Sequence, residues 1–103
     1  MQTTLNKIKK IEQLIVSSNT TDNVIDITID KILKREKTKL KNQIHNLNTQ
    51  LKEFEKKYNL GSEKFEIDYK NGKLGDNIDF IEWSATIDMI NNAEKQLDIL
   101  ESK

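Results

Sequence analysis

Cysteine and proline are both absent from the 103 residues, glycine occurs three times, and only 6% of residues are aromatic. Without cysteine there is no disulfide, no thiolate nucleophile and no thiolate metal site. Without proline nothing interrupts a long helix from within. No stretch approaches the roughly 20 apolar residues that a membrane span needs. The N-terminus has no apolar run of signal-peptide length, so a cytoplasmic location is the expectation. Neither sign of charge is in excess: 17 Lys and Arg balance 17 Asp and Glu. Hydrophobic residues reach only 35%. A chain of this size is one domain at most and buries well under three quarters of its unfolded surface, so its core must be thin.

What is abundant is helix-friendly. Charged residues make up 33% of the chain, with Lys, Glu, Leu and Ile common. The zero net charge and the periodic apolar residues argue against disorder. In residues 3–17, Leu5, Ile8, Ile11 or Glu12, and Ile15 recur at three- and four-residue spacing, which is one face of an amphipathic helix. SSNTTDN (17–23) then breaks the pattern, with Thr21 or Asp22 as the next N-cap.

VIDITID (24–30) reads two ways. Ile25, Ile27 and Ile29 alternate with polar residues as in a strand, whereas Ile25, Ile29 and Ile32 share a helical face. Helix is preferred, because no second strand exists to pair with it. Leu33, Leu40, Ile44, Leu47, Leu51, Phe54 and Tyr58 then form a coiled-coil-like seam interrupted by Lys37. A helix over 22–58 spans about 56 Å at 1.5 Å per residue. Asn59 and Gly61 suit a left-handed C-cap.

A short helix over 62–70, capped by Ser62, holds Phe65 and Tyr69. Gly72 and Gly75 permit positive φ and mark turns. Asp76 is the expected N-cap of a last helix over 78–101, with Asp79 in its first turn. Phe80, Trp83, Ile87, Ile90, Ala93, Leu97 and Leu100 form that helix's apolar face, so Trp83 is expected to be buried against the long helix. The expected fold is all-α: one domain over 1–103, an elongated helical hairpin or three-helix arrangement around a long central helix.

The charges are divided. Residues 31–57 hold nine bases and three acids, a balance of +6, and residues 76–101 hold seven acids and one base, a balance of −6. The two helices are therefore expected to lie antiparallel with their flanking charges attracting, each exposed pair worth only about 0.2–1 kcal/mol. A core one side chain deep leaves apolar surface for a partner or a second copy.

No catalytic constellation stands out. His45 is the only histidine, and one histidine cannot make a zinc site without other ligands. Asp76 and Asp79 lack the ligand order of an EF-hand. GKLG (72–75) lacks the spacing of a phosphate loop. KILKREKTKLK (31–41) has six bases and one acid and could meet phosphates, but the acidic last helix offers an internal partner. No cofactor and no metal are expected, and nucleic acid is not the expected partner.

Residues 51–90 carry a set of linked phrases: Phe54-Glu55-Lys56-Lys57-Tyr58, then Ser62 and Phe65, then Gly72-Lys73-Leu74-Gly75-Asp76, then Phe80-Ile81-Glu82-Trp83. In this order they resemble a small all-helical prokaryotic family of antitoxin-like proteins, which has Gly where Asn59 stands. The resemblance covers about 40 residues. It implies a non-enzymatic inhibitor that sequesters a toxin encoded beside it, and it carries over no catalytic residue. Candidate partner contacts are Leu5, Ile8, Ile15, Ile25, Ile27 and Ile29, with the basic face of Lys31, Lys34 and Arg35. Alternatives are a homodimeric or higher coiled-coil scaffold, a prefoldin-like hairpin, or a small nucleic-acid-binding protein.

Overall fold

The computed structural model describes residues 2–102. Its elements are α1 (Gln2–Ser18), α2 (Asn23–Tyr58), α3 (Ser62–Lys70) and α4 (Ile78–Glu101), with no strand among the described residues. VIDITID is helical. The fold is all-α. The chain divides into two compact units, residues up to Lys34 and residues from Arg35 on.

In the first unit, Asp22 caps α2: its Oδ1 accepts the Ile25 N–H at 2.9 Å. Asn19 carries φ of 55° between α1 and α2. A link this short joins neighbouring antiparallel helices.

In the second unit, the rest of α2 packs against α4. Leu40 and Leu47 of the seam are buried, and Leu51, Phe54 and Tyr58 are half-buried. From α4, Trp83, Thr86, Ile87, Ile90 and Ala93 are buried. Lys57 meets Asp79 at 2.6 Å, and Lys41 meets Glu101 at 3.4 Å. The low residue number of one helix thus pairs with the high number of the other, which is the antiparallel arrangement.

The chain turns from α2 into α3 through Asn59, whose φ is 52°. The Leu60 N–H donates to the Glu55 carbonyl, a six-to-one bond that closes the helix end. This is why glycine suits the position and asparagine tolerates it. Gly61, by contrast, has φ of −72° and takes no part in the left-handed cap. At the end of α3, Gly72 (φ 74°) fills the same role: its N–H donates to Tyr69 O and that of Lys73 to Asp68 O. Gly75 also has positive φ (76°).

Two caps differ from expectation. Ser62 is not the N-cap of α3; the helix starts with it, and Gly61 precedes it without a side-chain bond. Instead the Ser62 N–H donates to the Glu55 carboxylate at 2.9 Å, and the Ser62 hydroxyl accepts the indole N–H of Trp83 at 2.9 Å. Asp76 does not cap α4 either. Asn77 stands next to the first helical residue, and its Oδ1 accepts the Asp79 N–H at 2.9 Å. Asp76 is left exposed.

The core gathers on Trp83 and Phe65, both 0% exposed. Their rings stack with centroids 3.9 Å apart and planes 2° from parallel. Phe54 stacks on Trp83 at 5.6 Å, and Phe80 tilts against Phe65 at 5.6 Å. Trp83 thereby joins α2, α3 and α4.

Asp79 closes one edge of this core. It accepts bonds from Lys57 Nζ and from the Tyr58 hydroxyl. The Lys57 bond and then the Tyr58 bond hold its carboxyl below the usual carboxylate range. Asp79 in turn holds Lys57 and Tyr58 above their ordinary values.

Two predictions follow from this packing. Phe65→Ala and Trp83→Ala should each cost about 3–5 kcal/mol in urea unfolding, the usual result of emptying a packed aromatic site. The charged Asp79 contributes stability in full above about pH 3.9, and the contribution is lost as pH falls through its lower folded value. The raised Lys57 and Tyr58 contribute in full below about pH 10 and lose it as pH rises further. Urea midpoints measured against pH should therefore fall at both extremes, and Asp79→Asn should flatten both limbs.

Candidate functional site

The first unit lacks such a core. α1 presents Ile8, Ile11, Ile15 and Val16, and α2 presents Val24, Ile25, Ile29 and Ile32, along a groove of about 500 Å³. Glu12 and Thr28 are the polar residues that line it. The spacing of three and four that makes each helix amphipathic also lines these side chains up. Yet they are not covered: Ile8 is 56% exposed, Ile32 54%, Val16 73% and Val24 74%. Only Ile15 and Ile25 are half-buried.

The structure brings together four of the expected contact residues, Ile8, Ile15, Ile25 and Ile29, as groove lining. Leu5 and Ile27 are exposed but do not line the groove. Ile27 lies two residues from both Ile25 and Ile29, so a helix turns it about 200° away from them. Lys31 and Lys34 are exposed in the first unit, and Arg35 is exposed in the second. Ile11, Val16 and Ile32 also line the groove and are not among the expected contacts; Val24, the first residue of the VIDITID stretch, lines it too. Helical periodicity alone would have included Ile32, which repeats Ile25 and Ile29.

The turn motif works differently. Gly72 and Gly75 shape the backbone, Phe80 is half-buried, and Trp83 is inside. Asp79 is bound to Lys57 and Tyr58, so its carboxylate is committed to the fold. His45 is exposed on α2. Among the described residues there is no group of three or more His, Cys, Asp or Glu placed to hold a metal ion, and no helix is long and apolar enough to cross a membrane.

The chain matches no known protein-family model, no curated protein and no solved structure.

The groove is therefore a surface of aliphatic side chains with little hydrogen-bonding capacity. It can bury apolar area against another apolar face, with Glu12 and Thr28 as its polar lining. An environment-sensitive apolar dye should bind it, and Ile11→Ser with Ile29→Ser should remove most of the dye signal. Trp83 reports on the second unit, so its intrinsic fluorescence should stay unchanged in the same variant.

Proposed function

We propose that this chain is a non-enzymatic protein–protein interaction module. The observation that carries the reading is the groove of the first unit, where aliphatic side chains on two helices stand open to water. Contiguous apolar surface on a small and otherwise polar chain marks a site of association. The lone, exposed His45 and the structural commitment of Asp79 fit a protein that works by contact.

The resemblance of residues 51–90 supports a narrower reading: an antitoxin-like inhibitor acting in a prokaryotic cytoplasm. Such an inhibitor needs apolar anchors and a complementary charge field and no chemistry of its own. α4 leaves Glu82, Asp88, Glu94 and Asp98 exposed, an acidic helix suited to the basic cleft of a toxin that attacks RNA.

Co-expression with the adjacent open reading frame, one partner tagged, tests this. The two proteins should co-purify, and this chain should rescue cells from the growth arrest its neighbour causes. A neighbour that neither associates nor arrests growth overturns the antitoxin reading.

A further inference from the structure

We infer that the groove between α1 and the start of α2 is closed by the same groove of a second copy, in an antiparallel two-fold pairing that forms a four-helix bundle. This rests on the groove being an interface, and it names the occupant.

The apolar face calls for an apolar partner. Ile8, Ile11, Val16, Val24, Ile29 and Ile32 are each 41% to 74% exposed. They leave a continuous aliphatic face open to water along both helices, the kind of surface that marks a site of association. Their repeat of three and four along both helices is the pattern that knobs-into-holes bundle packing uses.

The charges point to a second copy and fix its direction. All five bases of the first unit lie in two short runs, Lys7, Lys9 and Lys10 on α1, and Lys31 and Lys34 on α2. Residues 11–30 between them hold Glu12, Asp22, Asp26 and Asp30 and no base. Because α1 and α2 are joined by a short link, Lys7, Lys9, Lys10, Lys31 and Lys34 lie on the open-end side of the groove's midpoint, with Asp30 among them, and Asp22 and Asp26 fall toward the closed tip. These charged side chains are exposed, and among the described residues none forms a salt bridge. An antiparallel two-fold axis sets each acidic tip beside the other copy's basic end. A parallel pairing would set like charges together. A two-fold interface must be self-complementary, because the same patch supplies both sides. This hairpin has that property: an apolar stripe complements itself, and a charge dipole complements itself only when reversed. Exposed pairs add little each, but together they choose orientation.

The test is the oligomeric state of the full chain, by sedimentation across a dilution series, with circular dichroism to confirm that each variant stays helical. The wild type should be a dimer. Ile11→Asp with Ile29→Asp should weaken it at least tenfold. Lys7/Lys9/Lys10→Glu and Asp22/Asp26→Lys should each weaken self-association, yet the two variants mixed should form a heterodimer, because each then presents what the other lacks. A wild type that is monomeric at every concentration overturns the inference. If that monomer still loses its toxin partner through the groove variant, the interface reading survives and the second copy does not. A dimer indifferent to the groove variant and to both charge variants forms elsewhere and overturns the inference.

Discussion

The second unit depends on one side chain. Trp83 is the only tryptophan, and it is fully buried. Its ring lies parallel to Phe65 of α3 and near Phe54 of α2, and its N–H donates to Ser62. Two antiparallel helices alone make a core one side chain deep, which is a poor source of stability because most of each helix stays wet. The aromatic cluster adds a third wall at one end. The large apolar area of indole and phenyl rings is concentrated there, and the polar edge of the indole is satisfied by a hydroxyl, so its burial carries no desolvation penalty from an unmade bond.

The turn chemistry serves that cluster. Leu60 and Phe65 reach it only if the chain reverses within two residues of Tyr58. The left-handed Asn59 allows this, and the Glu55 carboxylate holds the first amide of α3. On the far side, Asn77 takes over the capping of α4. Asp79 is thereby free to receive Lys57 and Tyr58. One acid thus ties the start of α4 to the end of α2, beside the rings that it helps to order.

Helix positions were legible because they rest on periodicity and on local breakers. The spacing of Leu33 to Tyr58, the break at 17–23 and the glycines at 72 and 75 each act over a few residues. The caps were less so. Asp76 and Asn77 are both able to cap, and only the residue that adjoins the first helical turn does. Ser62 looked like a cap because its hydroxyl is short and local, yet that hydroxyl is used by Trp83, twenty-one residues on. The groove was legible by half. Ile8, Ile15, Ile25 and Ile29 follow from a helical face, whereas Ile27, expected as part of the VIDITID stretch, is sent by the helix to another side. The tie between Lys57, Tyr58 and Asp79 depends on register between distant segments, which no local pattern encodes.

The two units make opposite use of the same kind of residue. In the second, Leu40 and Leu47 of α2 are 9% and 7% exposed, because α4 lies over them. In the first, Ile29 and Ile32 of the same helix are 41% and 54% exposed. Each buried aliphatic side chain is worth about 1.5–3 kcal/mol relative to an exposed one. A helix that keeps a regular isoleucine face without that return gains nothing from it within a single chain, and polar residues would serve its helicity as well. The face makes energetic sense once another apolar surface covers it. The second unit covers the seam of α2 with its own α4. The first has the spacing of a helical bundle, and its isoleucine face stays open to water.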